Sequence, residues 1–174
     1  MKNYHNTGMY TLGFIIRKQK VLMLRRLKEP NSKKLNGLGG KLKANESISE
    51  GMVREVKEES GIQPVDYRLS CLLQCFDSDF KKNYMIFCYL ISSFEGKPRE
   101  SGPEGDLSWI DLSSIHTKNL NLVDNIPYFL PHMLKDDSLL EMSFTYYHSR
   151  NSCYYRGFQN KESWEGRFSL ETWL

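Results

Sequence analysis

Between Gly40 and Ile62 the chain reads GKLKANESISEGMVREVKEESGI, and no other stretch constrains the fold as much. Residues 47–60 (SISEGMVREVKEES) carry the marks of a helix. Ser47 followed three residues later by Glu50 is a capping box, and Gly61 suits the left-handed residue that closes a helix. At about 100° per residue, Glu55, Glu58 and Glu59 fall within an arc of roughly 100°. Three carboxylates on one stripe repel each other unless a cation lies among them. Hard oxygen ligands of this kind suit Mg²⁺ or Mn²⁺. Ile48, Met52, Val53 and Val56 occupy the adjacent face and can anchor the helix in a core. Arg54 and Glu58 are four apart and can pair, which would orient one carboxylate. A solvated surface helix can also carry a string such as REVKEE. What sets this one apart is the spacing of Gly39, Gly40, Glu46 and Gly61 around it.

The rest of the chain alternates strands with little helix. Residues 9–16 and 21–25 are β-rich runs flanking the polar turn Arg17–Lys20, and read as a hairpin or two adjacent strands. Residues 26–41 form a basic, Gly-containing loop. Two strand-like stretches, 67–76 and 83–92, flank a turn at Asp77–Lys82. Residues 94–106 are a loop rich in Gly, Pro and Glu, and 107–112 a short strand. Residues 122–135 suit a helix that Pro127 and Pro131 interrupt or start late. The tail, 139–173, is aromatic-rich and is expected to add strands to a sheet. Its aromatics are read first as core, since aromatic rings dominate core burial; stacking on a ligand is the other reading. Strands mixed with two helices indicate an α+β fold.

With 174 residues, 40% hydrophobic and 26% charged, the chain has the size and composition of one ordinary globular domain, 1–174. No apolar run approaches the ~20 residues of a membrane span, and the first ten residues hold no secretory apolar core. The expectation is therefore a cytoplasmic protein without a membrane partner. Lys+Arg 24 against Asp+Glu 21 is too mild a surplus to announce nucleic-acid binding. In the cytoplasm Cys71, Cys75, Cys88 and Cys153 should be reduced. They are read as buried apolar thiols, because no second pair answers Cys71 and Cys75 as zinc ligands. His5, His116, His132 and His148 are scattered and are read as structural or exposed.

Phosphate chemistry needs what the Gly40–Ile62 segment offers. A metal among those carboxylates would neutralise phosphate oxygens and acidify a bound water, and a carboxylate nearby can take the proton. The basic residues Arg25, Arg26, Lys28, Lys33, Lys34 and Lys41 are candidates for the remaining phosphates. Arg26 and Lys41 are preferred, because each lies next to a strand end or to the motif. Lys33 and Lys34 are read as solubilising surface.

The whole pattern is a glycine, five residues, Glu, seven residues, then Arg-Glu-aliphatic-x-Glu-Glu-x-Gly-aliphatic. It resembles the Nudix box, box residues 40–62, and every fixed position is met. Such a match should arise by chance with odds of ~10⁻⁸, taking ~1/20 per fixed position. Leu35–Lys41 (LNGLGGK) resembles the Trp-Asn-Gly-Phe-Gly-Gly-Lys run of the MutT branch, in particular the enzymes that clear oxidised purine triphosphates from the nucleotide pool. Tyr10-Thr11-Leu12, Phe87-Cys88 and Ser108-Trp109-Ile110 resemble strands of those enzymes, so the resemblance spans about residues 9–135.

The resemblance implies an α/β/α sandwich around a mixed sheet. It implies that Glu55, Glu58 and Glu59 bind the metal together with the carbonyl of Gly39. One of those glutamates, or the loop residue Glu104, would be the base. Asn36 would face the purine edge and Arg26 would contact phosphate. Asp124-Asn125 replace an acidic pair, Val123 a tryptophan and Leu35 an aromatic, all at positions that shape the base pocket. The implied reaction is hydrolysis of a nucleoside triphosphate, such as 8-oxo-dGTP, to monophosphate and pyrophosphate. Two alternatives stand beside it. One is another diphosphate substrate, such as an RNA 5′ end or a sugar nucleotide. The other is a non-catalytic nucleotide-binding module, which would be expected to have lost box carboxylates that are all present here.

Overall fold

The apolar run from Thr11 to Ile15 is buried without a break. Such a run belongs to a strand covered on both faces and paired on both edges. It lies in β1 (Thr7–Arg17), which pairs antiparallel with β2 (Lys20–Arg26) and parallel with β5 (Lys82–Glu95). The computed structural model describes residues 7–117 and 119–170. His5 and residues 171–174 lie outside the described residues.

The expected hairpin is therefore present, as is the pair formed by β4 (Gln63–Asp77) and β5. A bulge between Leu69 and Cys71 exchanges the faces of β4. Tyr67 and Leu69 pack with one core cluster; Cys71, Leu73 and Cys75 belong to the other. The loop 26–41 is more ordered than its composition suggests. It contains β3 (Leu35–Asn36), paired with β2, and single bridges Tyr10–Lys41 and Gly13–Leu38. Likewise the 94–106 loop holds β6 (Ser101–Gly102), which pairs with β7 (Gly105–Asp111).

Helix α1 (Ile48–Ser60) begins and ends as its sequence requires. The Ser47 hydroxyl accepts the Glu50 amide, the Glu50 carboxylate accepts the Ser47 amide, and Gly61 closes the helix at φ 78°. Helix α2 (Ile126–Lys135) starts late, with Pro127 in its first turn. Pro131 lies inside it without ending it. The lost hydrogen bond is tolerated where Ile126, Phe129, Leu130 and Met133 bury the helix face.

The tail forms β8 (Leu140–Tyr147), β9 (Ser152–Gln159) and β10 (Glu162–Ser169). All three join the same sheet, whose order is β10-β9-β8-β4-β5-β1-β2-β7-β6, with β3 on β2. Helix α1 covers one face, with Met52 and Val56 against Ile15, Leu22 and Ile91. Helix α2 covers the other, with Phe129 against Phe14 and the tail residue Phe144 in the same cluster. The result is the expected α/β/α sandwich around a mixed sheet. Tyr155 and Phe168 of the tail stack near Tyr128 of α2, as core aromatics should. Tyr147 and Tyr154 point the other way. All four cysteines are free and buried, and burial pushes the thiols of Cys75 and Cys153 up to about 12. His132 stacks on Trp164, and His148 sits 3.2 Å from Asp77. Among the described residues no helix is long and apolar enough to cross a membrane.

Candidate active site

Two glycines set the distance between the loop before α1 and its neighbours. A Cβ on Gly39 would lie 2.0 Å from the Thr11 carbonyl oxygen, and one on Gly40 2.6 Å from the Glu55 carboxylate. Without those atoms the loop backbone lies between β1 and the helix. It is stitched to β1 by the Thr11 amide donating to the Gly40 carbonyl at 2.9 Å and by a reciprocal pair between Gly13 and Leu38. From the helix side, Glu59 Oε2 accepts the Gly39 amide at 2.8 Å.

Arg54 ties this region together, and its side chain is only 20% exposed. Its Nε and Nη2 donate to the two oxygens of Glu46 at 2.9 and 2.6 Å. Its Nη1 donates to Glu55 at 2.6 Å and, at 3.3 Å, to Glu58. The expected Arg54–Glu58 pair is thus the longest of the three carboxylate contacts, and Glu46 is the main partner. Helix spacing could not reveal this, because Glu46 lies ahead of the N-cap, on chain that passes back beside the helix. Glu46 also accepts the Lys43 amide at 2.5 Å. Hydrogen bonds from Arg54, then from Lys43, pull the Glu46 carboxyl down to about 2. The sequence did signal Glu46 as a fixed position, but not its partner.

The three glutamates share one stripe of α1, yet their carboxylates turn to different donors. Glu55 goes to Arg54. Glu58, 55% exposed, lies between Arg54 and Lys43. Glu59 is 7% exposed and turns inward to Gly39. Among the described residues, no three acids, histidines or cysteines converge tightly enough to hold a metal as they stand. The donor set nevertheless fits a hard divalent cation. Burial pushes the Glu59 carboxyl up to about 8; the Gly39 amide opposes this, while the charges of Glu55 and Glu104 add to it. A buried carboxylate penalised by its acidic neighbours is a group that a cation would stabilise. Glu55, Glu58 and Glu59 are the residues able to hold one, with the Gly39 backbone alongside.

Arg26 and Glu104 complete this group, since both act on the charge of Glu59. Arg26 Nε donates to the Pro30 carbonyl at 3.0 Å, and Glu104 pairs with Lys28 at 2.8 Å. Lys41 is exposed; its carbonyl accepts Arg54 at 3.3 Å.

A second group lies along β3 and the start of α2. Asn36 Oδ1 accepts the Gly37 amide at 2.9 Å. Asp124 pairs with Lys34 at 2.5 Å. Lys34 is 11% exposed, so it is not the solubilising surface lysine its sequence context suggests. The reason is non-local. Leu35 donates to Asn121 and accepts from Val123, which draws Asp124 against Lys34. Asn125 is buried, and its amide reaches the Cys75 sulfur at 4.0 Å.

The NUDIX domain family model matches residues 8–133. The chain is similar to the uncharacterized Nudix hydrolase YvcI of Bacillus subtilis (strain 168), at 30% identity over 111 residues, 62% of this chain and 69% of that protein. It is similar in structure to the MutT protein of Bacillus halodurans, with TM-score 0.71, 27% identity, 80% of this chain and 90% of that one covered. A MutT NUDIX hydrolase from Burkholderia pseudomallei aligns with TM-score 0.59 and 25% identity, over 63% of this chain and 86% of its own.

Proposed function

The chain belongs to the Nudix family of hydrolases, which act on phosphoric anhydride bonds, and we propose that its substrate is a purine nucleoside triphosphate cleaved to monophosphate and pyrophosphate. The preferred nucleotide in this reading is an oxidised purine such as 8-oxo-dGTP, cleared from the cytoplasmic pool. Residues 1–174 act as one Nudix domain, with 139–174 an extension of it.

The observation that supports hydrolysis most is the complete motif held as a network. Arg54 orients Glu46 and Glu55, while Glu59 is buried beside the Gly39 amide. Nudix hydrolases use divalent metal ions, and Mg²⁺, with Mn²⁺ as substitute, is the proposed one here. Such an ion supplies charge neutralisation at the phosphates and an acidified water. Glu55, Glu58 and Glu59 would hold it. The chain's own residues do the remaining work. One carboxylate among Glu55, Glu58, Glu59 and Glu104 takes the proton of the attacking water. The water oxygen bonds to phosphorus as the anhydride bond breaks and pyrophosphate leaves. Arg26 and Lys41 bind phosphate oxygens. At the base end, Asn36 can donate and accept at once, and Asp124 with Asn125 follows the segment that pairs with Leu35 of β3.

The test is turnover with Mg²⁺ of 8-oxo-dGTP, dGTP, dATP and a 5′-triphosphorylated RNA, with pyrophosphate and phosphate measured separately. A kcat/KM for 8-oxo-dGTP at least tenfold above dGTP is expected, or ~1.4 kcal/mol of discrimination. Equal or absent turnover of the triphosphates would sink the oxidised-purine reading and leave other diphosphates, RNA ends included.

A further inference from the structure

Strands β8, β9 and β10 lie beyond the residues matched by the NUDIX family model. Alternate residues on them face opposite sides of the sheet. Phe144, Cys153 and Phe168 belong to the core on the α2 side. The residues between them line an open concavity of about 670 Å³ on the other side.

The make-up of that face is distinctive. Within the concavity it presents Arg150, Arg156 and Arg167 against Glu165, with Glu141 farther along the same face. The arginines are interleaved with tyrosines. The guanidinium of Arg156 lies 5.4 Å, and that of Arg167 5.7 Å, from the centre of the Tyr154 ring. Arg150 lies 5.6 Å from the Tyr147 ring. Strand register fixes the rows: Thr145, Tyr154 and Arg167 are direct cross-strand partners, as are Ser143, Arg156 and Glu165. Tyr154 Oη also accepts Arg156 Nε at 3.1 Å and donates to Glu165. The Tyr154 ring is thereby held in place.

We propose that this face binds single-stranded nucleic acid. Bases stack on aromatic rings and on guanidinium planes, and they do so only when unpaired; here Tyr147 and Tyr154 are half-buried beneath the planes of Arg150, Arg156 and Arg167. Stacking uses the flat face of a guanidinium and leaves its in-plane donors for phosphate oxygens. An acidic peptide would engage the arginines but give the tyrosines nothing to stack. Duplex nucleic acid would hide its base faces. The inference does not depend on which diphosphate the Nudix site cleaves.

The experiment is fluorescence anisotropy of the full chain with a short 5′-fluorescein oligouridylate across a salt series. Binding is expected, with a log–log salt slope near −2, from about −0.7 per neutralised phosphate on a single strand. Arg150→Ala/Arg156→Ala/Arg167→Ala should weaken binding at least tenfold and flatten the slope, while the circular dichroism spectrum and Tm stay unchanged and report the fold. Tyr154→Leu should weaken binding at least fivefold with the slope kept. If the triple variant fails to fold, Arg150→Gln, in the short turn between β8 and β9, should remove about 0.7 from the slope. No binding by the parent chain would overturn the proposal. So would equal affinity for the same strand in a duplex, equal affinity for polyglutamate, or slopes that the arginine variants leave unchanged.

Discussion

Arg54 and Arg167 belong to two regions that handle charge in opposite ways. Arg54 lies inside the motif region, largely buried, with its donors taken by Glu46, Glu55, Glu58 and the Lys41 carbonyl. Arg167 lies on the exposed face of β10, against the Tyr154 ring. In the first region charge is consumed internally, and it holds a loop, a helix and a carboxylate in one geometry. In the second it is displayed. The lesson is that the number of cations near a site says little about binding; the exposure and the partners of each one decide. Three arginines of the extension count for more as a surface than the lysines and arginines of the loop 26–41, several of which are tied to Glu104, Asp124 or backbone carbonyls.

The largest effect that tests this contrast is at Glu59. Glu59→Gln keeps an acceptor for the Gly39 amide but removes the carboxylate. A fall in kcat of about 10²–10⁴-fold, with Tm nearly unchanged, is expected in a Mg²⁺-dependent turnover assay. A small effect would move the chemistry away from the buried end of the stripe.

Next comes the same substitution made in both regions. Arg54→Ala leaves Glu46 and Glu55 facing each other without their cation. It should cost about 3 kcal/mol in urea unfolding, or roughly 10 °C in Tm for a chain of this size. Arg167→Ala should change stability by less than about 0.5 kcal/mol. Equal losses would erase the distinction between internal and displayed charge.

The smallest effect is a change of slope with pH. The folded-state carboxyl of Glu46 is pulled from an ordinary 4.5 to about 2. A lowered folded value gives stability that is fully present above the ordinary value and is lost as pH falls through the lowered one. The loss therefore runs from about pH 4.5 down to about pH 2. Glu46→Gln should flatten the stability curve in that window, followed by circular dichroism. An unchanged curve would mean that Arg54 does not hold Glu46 charged.

Much of this was legible in the sequence where the determining contacts are local. The ends of α1 follow from Ser47, Glu50 and Gly61, all within one turn of what they cap. The hairpins follow from alternation and short polar turns. The box positions were legible as spacing, but not that Gly39 and Gly40 let backbone come close to Thr11 and Glu55. What was not legible depended on chain returning from far away. Lys34 reads as surface until residues 121–124 come to lie beside β3. The Glu46–Arg54 pair spans the N-cap, where helix periodicity no longer predicts neighbours. The tail reads as aromatic strands, but which rings face α2 and which face outward is set by register with β4, and register is a property of the partner.

Strand β4 gives the sheet its vulnerability. From Cys71 to Asp77 its outer edge pairs in parallel with β8, and the sequence there, CLLQCFD, is mostly apolar. Left open, such an edge would be a template for joining one molecule to the next. The extension moves the sheet's end outward to β10, where Glu162, Glu165 and Arg167 put charge on the last strand. At the far side the sheet stops at β6, only two residues long. The three added strands thus exchange a sticky margin for a charged one, and they would protect the molecule from its own copies whatever else they bind.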